Sequence, residues 1–227
     1  MVRLVLFDID GTLIHTDGAG VKAFGRALAT EFGVSDATAH VTFAGRTDTG
    51  LARQFFNQHG IPATPENFGR FFDCYVHWLE HLLTHTRGGT CPGVRRLIHD
   101  LENLPQRPRI GLLTGNIRLG AEIKLRRFNL WDHFELGAFA DDHEDRNQIA
   151  AVAFQRGKSV PNHENLSGEE VVVIGDTPLD IACGQAINAK VIAVATGNYS
   201  VTQLQAHHPT LAIPNLERIQ ARDLCRM

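Results

Sequence analysis

The 227-residue chain has few cysteines, no long apolar run and no excess of charge of one sign. Its four cysteines lie far apart and form no Cys-x-x-Cys pair, a pattern typical of reduced, structural thiols that favours a cytoplasmic location. No apolar run approaches the roughly 18 residues of a membrane span. The first ten residues lack the features of a signal peptide and are expected to form a strand. With 22 basic and 25 acidic side chains, the chain also lacks the basic excess of a nucleic-acid-binding protein.

What is present is an ordinary globular composition, with 43% apolar and 21% charged residues. These fractions exclude a disordered, collagen-like or coiled-coil chain. The length fits one domain, or a core domain that carries a small insert.

Short apolar runs recur along the chain, and each of the main ones precedes Gly, Thr or Asp and then a helical pattern. Such runs are typical of strands that are buried on both faces of a parallel sheet. Repeated strand–helix alternation predicts a doubly wound, Rossmann-like α/β sheet. The four main runs are Val2–Phe7, Arg109–Leu113, Val171–Ile174 and Val191–Ala195, and a weaker one is Glu135–Ala140.

The alternation is interrupted between about residues 18 and 86, where only helical patterns occur. Two helices are expected to end at Gly33 and Gly60, and a third to begin at Thr64-Pro65. The segment could be an ordinary helical excursion, but we interpret it as an inserted helical cap. We therefore expect a core formed by residues 1–16 and 88–227 and a cap formed by residues 17–87.

The third of these helices carries three histidines at four-residue steps, His77, His81 and His85. Its apolar face is expected to centre on Phe68, Phe72, Tyr75, Leu79 and Leu82. The histidines lie on the other side of the helical wheel, so we predict a solvated face and no metal site.

Two pairs of acids follow predicted strands, Asp8 with Asp10 and Asp176 with Asp180. The carboxyl ends of parallel strands form the ligand-binding edge of such sheets. An Asp- and Gly-rich turn is common at any strand end, but that explanation does not require a second acidic pair at another strand end. Carboxylates gathered from two strands form an all-oxygen site of the kind that Mg²⁺ prefers.

Between these pairs, Thr114, Gly115 and Asn116 end the second main strand. A hydroxyl group beside free backbone N–H groups at a helix start can bind phosphate. Thr114 could equally be a plain helix N-cap.

Together these residues resemble the haloacid dehalogenase superfamily, and within it the phosphoglycolate-phosphatase-like group with a helical cap. The first motif is Asp8-Ile9-Asp10-Gly11-Thr12, the second is Thr114, and the fourth is Gly175-Asp176 with Asp180. The third motif of the family is usually a lysine. Here the best candidate is Arg146, which keeps the positive charge and offers a planar fork for phosphate, with Lys158 as the competitor.

The resemblance implies a Mg²⁺-dependent phosphatase that acts through an aspartyl phosphate. Asp8 would be the nucleophile and Asp10 the general acid and base. Mg²⁺ would be held by the Asp8 carboxylate, the Asp10 carbonyl and Asp176, with Asp180 orienting its water shell. Thr114 and Arg146 would bind the phosphoryl oxygens.

Further substrate contacts are expected from Thr12, Gly115 and Asn116, and from cap residues. Gly45-Arg46-Thr47-Asp48 resembles a cap signature of the group, so Arg46 and Thr47 could face an anionic substrate, although Thr47 could also cap a helix. His15 follows the first motif and is either a substrate contact or part of a linker. The partner implied is a small phosphorylated metabolite, whose identity the cap residues would determine.

Two other functions stay open: a β-phosphoglucomutase-like phosphomutase, and a non-enzymatic phospho-acceptor or interaction module. Receivers of the latter kind are much shorter and have no inserted cap. A dehalogenase is disfavoured because that chemistry goes with loss of the second aspartate, and Asp10 is present. A phosphonate hydrolase would need a cap lysine, and Lys22 lies outside the expected motif.

Overall fold

A computed structural model describes all 227 residues, Met1–Met227. The strands and helices follow in chain order as β1 (Leu4–Phe7), β2 (Ile14–His15), α1 (Ala19–Phe32), α2 (Asp48–Gln58), α3 (Pro65–Thr84), β3 (Gly89–Thr90), α4 (Val94–Glu102), β4 (Arg109–Leu113), α5 (Arg118–Arg127), β5 (Leu136–Ala138), α6 (Arg146–Lys158), β6 (Val171–Gly175), α7 (Pro178–Ala186), β7 (Lys190–Val194), α8 (Val201–Gln205), β8 (Leu211–Ile213) and α9 (Ala221–Arg226).

Six strands form one sheet in the order β5-β4-β1-β6-β7-β8. Every neighbouring pair in this sheet is parallel, and Leu4 of β1 lies level with Arg109 of β4 and Val171 of β6. The predicted α/β class is therefore confirmed, and the predicted strand Arg109–Leu113 is observed with the same bounds. The first strand begins two residues later than predicted, at Leu4.

Strand β1 lies at the centre of the core and is buried on both faces. Because successive side chains of a strand point to opposite faces, Val5 and Phe7 belong to one apolar cluster while Leu4 and Leu6 belong to another. Helix α4 packs in the first cluster and α6 in the second. This two-sided packing explains why the strand sequence is continuously apolar rather than alternating.

Helices α1, α2 and α3 follow one another between β2 and β3 and contribute most of a separate apolar cluster. Gly33 ends α1 with a left-handed φ of 67°, a conformation that costs glycine little. Thr64 caps α3 by accepting a hydrogen bond from the Asn67 N–H, and Pro65 occupies the first helical turn. The helical content of this segment agrees with the sequence prediction, while its boundaries as a domain stay a prediction.

The buried face of α3 differs from the predicted one. It is formed by Phe71, Tyr75, Leu79 and Leu83, whereas Phe68, Phe72 and Leu82 are only partly buried. The face is rotated toward residues that follow a strict four-residue step, because α3 packs mainly against α1. The three histidines of the helix are exposed, as predicted.

Two short features were not predicted. Strands β2 and β3 pair as an antiparallel ribbon, in which Ile14 faces Thr90 and His15 faces Gly89, at the junction between the sheet and the three-helix segment. Strand β8 adds a parallel edge next to β7. No helix has the combination of length and apolar character needed to cross a membrane.

Candidate active site

Adjacent strands of the sheet end at the same edge and bring distant acids together. Strands β4, β1 and β6 are neighbours, so the residues that directly follow them, Thr114, Asp8 and Asp176, lie side by side. Asp180 joins them from the first turn of α7. Thr177 caps that helix, and its hydroxyl and backbone N–H both bond the Asp180 carboxylate in a capping box.

Asp8, Asp176 and Asp180 form a buried carboxylate cluster, with ligand oxygens that all lie within 4.8 Å of one another. Burial raises the pKa of Asp8 to about 7, and the neighbouring carboxylates of Asp180 and Asp10 add to this shift. Arg146 opposes the shift but does not cancel it. Burial, together with Asp180 and Asp8, raises the pKa of Asp176 to about 9. Ionising both Asp8 and Asp176 therefore calls for more positive charge than the protein itself supplies.

Asp176 sits in a cradle of close backbone. A Cβ added at Gly197 would lie 1.7 Å from Asp176 Oδ2, and one at Gly11 would lie 2.4 Å from the same oxygen. Any side chain at either position would collide with the carboxylate, so only glycine fits there. The other oxygen, Oδ1, accepts a hydrogen bond of 3.1 Å from the Thr12 hydroxyl.

Arg146 is the cation that faces the cluster. It begins α6, is 7% exposed, and donates to Asp8 Oδ1 at 2.8 Å and to Asp180 Oδ1. A third bond of 3.0 Å reaches the backbone carbonyl of Gly45, in the segment before α2. Its buried Nε has no hydrogen-bond partner. Lys158, the competing candidate, lies at the far end of α6 with its ammonium over the Phe154 ring.

Asp10 turns away from the carboxylate cluster and toward α5. Its Oδ2 accepts hydrogen bonds from the Lys124 ammonium at 2.6 Å and from the Asn116 amide at 2.9 Å. Its side chain is 43% exposed, while that of Lys124 is 4% exposed. The carboxylates of Asp8 and Asp10 thus have different partners, cationic Arg146 for one and the Lys124–Asn116 pair for the other.

The Thr114 hydroxyl accepts two hydrogen bonds, from the Asn116 backbone N–H at 3.3 Å and from the Asn116 side-chain amide at 2.8 Å. Since both bonds use oxygen lone pairs, the hydroxyl proton is left available. Thr114 therefore presents a donor at the end of β4.

A cavity of about 550 Å³ lies between the end of the sheet and helices α1 to α3. It is lined by the two acids Asp8 and Asp10, by Thr114, Gly115 and Asn116, and by Arg146 and Asp176. From the predicted contacts outside these motifs, His15 and Arg46 also reach the cavity. The helical segment thus closes over the strand ends.

Two predicted substrate contacts are engaged elsewhere. Thr12 is fully buried and its hydroxyl donates to Asp176. Thr47 caps α2 by accepting from the Gly50 N–H and donates to the Glu144 carbonyl at 2.7 Å. Neither residue lines the cavity.

Comparison with known proteins places this site in a family. The model of the haloacid dehalogenase-like hydrolases matches residues 5–194. The chain belongs to this family. The match begins within β1, which precedes Asp8, and ends with β7, so it includes both acidic motifs, Thr114 and Arg146. The predictions of the family and of an enzyme of the hydrolase class are confirmed.

The family resemblance extends over the whole chain. The chain is 24% identical over 224 residues to "Probable phosphatase IndB" of Dickeya dadantii (strain 3937), covering 96% of this chain and 92% of that protein. Among solved structures, CbbY from Rhodobacter sphaeroides in complex with phosphate has a TM-score of 0.75 at 16% identity, with 96% of each chain covered. A predicted phosphoglycolate phosphatase from Haemophilus somnus 129pt has a TM-score of 0.71 at 16% identity, covering 98% of this chain and 96% of that one.

One residue of this haloacid dehalogenase-like hydrolase escaped the sequence analysis, Lys124. It lies on the buried face of α5 together with Gly120, Ala121 and Leu125. A lysine at an apolar position two helical turns after Asn116 was a usable signal, since lysine is rarely fully buried unless it is paired.

Proposed function

We propose that this chain is a Mg²⁺-dependent phosphatase that hydrolyses a small phosphomonoester through an aspartyl phosphate on Asp8. The observation that carries the proposal is the buried cluster of Asp8, Asp176 and Asp180 at the strand ends, with Arg146 beside it and a cavity in front of it. Membership of a hydrolase family and the phosphatase names of relatives support it. In this proposal residues 1–16 and 88–227 form the catalytic core and residues 17–87 form the cap.

The cluster fits a divalent cation. Three carboxylates share one arginine, and burial and mutual repulsion raise the pKa values of Asp8 and Asp176. We propose that Asp8, Asp176 and the Asp10 carbonyl hold Mg²⁺, and that Asp180 orients its water shell. When bound, Mg²⁺ would offset the negative charges of the nucleophile and of the phosphoryl group.

Asp8 is suited to be the nucleophile because its two oxygens differ. Oδ1 is held by Arg146, while Oδ2 accepts no hydrogen bond from the protein. In the first step an Asp8 oxygen forms a bond to phosphorus and the bond from phosphorus to the leaving oxygen breaks. Arg146 favours the ionised form of this carboxylate, in opposition to burial, and holds it in place for the attack.

Asp10 faces the same cavity and is suited to move the proton. In the first step it gives a proton to the leaving oxygen. In the second step it takes a proton from water, whose oxygen bonds to phosphorus as the bond to Asp8 breaks. Inorganic phosphate leaves and both carboxyl groups return to their starting states.

The phosphoryl oxygens would be bound by donors that the protein leaves available. The Thr114 hydroxyl proton is free, because its oxygen accepts both bonds from Asn116. The Arg146 side chain also lines the cavity and adds positive charge to it. Donors of this kind stabilise the charge that shifts in the transition state.

The other end of the substrate would contact residues of the cap and its hinge. Arg46, just before α2, and His15, in the β2–β3 ribbon, both line the cavity. A cavity of about 550 Å³ that also holds the catalytic carboxylates suits a small phosphorylated metabolite. We propose no contact between substrate and either Thr12 or Thr47.

The test is hydrolysis of p-nitrophenyl phosphate with Mg²⁺ and with EDTA, by the wild type and by a folded Asp8→Asn variant. We expect wild-type turnover that EDTA abolishes and Mg²⁺ restores, and no turnover by Asp8→Asn. A panel of phosphorylated metabolites, with inorganic phosphate as the measured product, would then separate a phosphatase from a phosphomutase. Undiminished activity in EDTA, or in Asp8→Asn, would overturn the proposal.

A further inference from the structure

The Asp10 carboxylate is held by one oxygen only. Two donors, Lys124 Nζ at 2.6 Å and Asn116 Nδ2 at 2.9 Å, converge on Oδ2, and Oδ1 accepts no hydrogen bond from the protein. A proton on Oδ2 would face two donor hydrogens, so that oxygen can act only as an acceptor. A proton on the carboxyl group must therefore sit on Oδ1.

Lys124 also determines how Asn116 is oriented. Its ammonium donates to Asn116 Oδ1 at 2.6 Å, and because an ammonium group has no acceptor it must face the amide oxygen. The amide nitrogen is then turned toward Asp10 Oδ2 and toward the Thr114 hydroxyl at 2.8 Å. One buried lysine thus orients the partners of both Asp10 and Thr114.

The ammonium group is itself fixed by burial. Lys124 is 3% exposed and reaches the site from α5, the helix that follows β4. A Cβ added at Gly20 of α1 would lie 3.3 Å from its Nζ, so α1 approaches the ammonium closely. A desolvated lysine held between α5 and α1 has few alternative positions.

We propose that Lys124 is a positioning residue for the proposed phosphatase reaction: it holds Asp10 so that Oδ1 carries the transferable proton and faces the leaving group. The inference rests on the proposed function, since it needs Asp10 to act as the acid. Helix α5 would then contribute to the proton-transfer step by positioning Asp10. Neither the acidic motifs nor the third-motif cation performs this role. Losing it should misdirect the proton while leaving Asp8 and Arg146 in place.

Two substrates that differ in their need for a proton test this role. The p-nitrophenolate ion leaves readily without protonation, whereas phenolate is a poorer leaving group and depends more on the acid. We would measure kcat/KM with Mg²⁺ for p-nitrophenyl phosphate and phenyl phosphate in the wild type, Lys124→Met, Lys124→Gln and Asn116→Ala. Lys158→Met, which changes a lysine at the end of α6, is the matched control.

We expect Lys124→Met to lower kcat/KM for phenyl phosphate about tenfold more than it lowers kcat/KM for p-nitrophenyl phosphate. This difference is part of the 10²–10⁴-fold rate enhancement that is typical of a positioned acid. Lys124→Gln and Asn116→Ala should show the same bias to a smaller extent, and they provide the test if Lys124→Met does not fold. Lys158→Met should match the wild type on both substrates. Equal losses on the two substrates in the folded variants would overturn the inference. Absence of wild-type turnover would instead overturn the proposed function and with it this inference.

Discussion

At the scale of single residues, the placement of Arg146 has consequences for rate that a lysine could only partly reproduce. Its guanidinium bonds Asp8, Asp180 and the Gly45 carbonyl at once, which uses the planar fork as well as the charge. Lysine offers a single ammonium on a stem of different reach. The departure from the usual lysine of the family is thus matched by a set of three acceptors.

We expect Arg146→Ala to lower kcat/KM by about 2–4 kcal/mol of transition-state stabilisation, because a preorganised cation beside Asp8, the proposed nucleophile, is removed. Arg146→Lys should recover part of this loss, since the charge returns but not all three bonds. Steady-state kinetics on one common substrate measures both. Lys158→Ala is the control and should be nearly silent. A crippled Lys158→Ala beside a fully active Arg146→Ala would show that the cation has been assigned to the wrong end of α6.

Some of the site residues could be predicted from the sequence, and others could not. Asp8, Asp176 and Thr114 directly follow strands, so their meeting at one edge could be predicted from the order of strands and helices alone. Lys124 reaches Asp10 from inside a helix, and only the packing of α5 in the folded protein, mainly against α3, brings the two together. Thr12 was predicted as a substrate contact, but its hydroxyl turned out to bond Asp176, which one-dimensional spacing does not specify.

At the scale of elements, α2 and α5 are joined by a buried acid. Asp48, in the first turn of α2, accepts a hydrogen bond of 2.9 Å from the Ile117 N–H at the start of α5, and its own N–H donates to the Gly115 carbonyl. Burial raises the pKa of Asp48 from 3.8 to about 6, although Lys124 opposes the shift. The carboxylate thus satisfies a helix N-terminus at the cost of desolvating a charge.

We expect Asp48→Asn to be more stable than the wild type above about pH 6, because the asparagine oxygen can still accept from Ile117 and no charge is buried. Because the native pKa of Asp48 is raised, its favourable contribution to the free energy of unfolding is complete below pH 3.8, the pKa of the unfolded chain. That contribution is lost as the pH rises through about 6. Urea unfolding at several pH values measures the difference between the two proteins. The difference in the free energy of unfolding should grow with pH to at most about 3 kcal/mol, since one pKa unit is worth about 1.4 kcal/mol.

Asp48→Ala separates charge from hydrogen bonding. It removes the acceptor as well and should be less stable than Asp48→Asn at every pH. If Asp48→Asn were as unstable as Asp48→Ala at neutral pH, the ionised carboxylate would be a net stabilising partner of Ile117, contrary to our expectation.

The elements that sequence analysis missed are those with little sequence signal. Strand β8 has three residues and pairs only with β7, so its pattern is too short to distinguish from a loop. Strands β2 and β3 have two residues each and exist through pairing with each other. Helix α3 has many apolar residues, so a helical wheel alone does not define its buried face. The burial of Leu83 rather than Leu82 depends on where α1 packs. The long buried strands carried enough signal to be predicted closely.

For the whole molecule, binding of the proposed Mg²⁺ to the carboxylate cluster would be coupled to stability. The pKa values of Asp8 and Asp176 are raised in the native state to about 7 and about 9, chiefly by burial. A raised native pKa gives a stabilising contribution that is present below the unfolded value and is lost as the pH rises through the native value. The metal-free protein should therefore lose stability as the pH rises above 3.8, with the Asp8 contribution lost by about pH 7 and the Asp176 contribution by about pH 9.

We expect Mg²⁺ to raise the melting temperature more at about pH 8.5 than at about pH 6, because protons and metal compete for the same carboxylates. Thermal unfolding with Mg²⁺ and with EDTA at each pH gives the two shifts. Asp176→Asn is the matched variant and should lose most of the Mg²⁺-induced shift in melting temperature at both pH values. A shift independent of pH in the wild type would mean that the ion binds away from these carboxylates.

Transfer of the phosphoryl group to Asp8 can be tested by trapping that group on the protein. The enzyme is mixed with p-nitrophenyl phosphate and Mg²⁺, quenched in acid during turnover, digested and examined by mass spectrometry. The Asp10→Asn variant serves best, because p-nitrophenolate leaves without a proton while the second step loses its base. We predict phosphate on the peptide that contains Asp8, and none in Asp8→Asn. Turnover with no phosphorylated Asp8 peptide, or with phosphate on another residue, would contradict the mechanism.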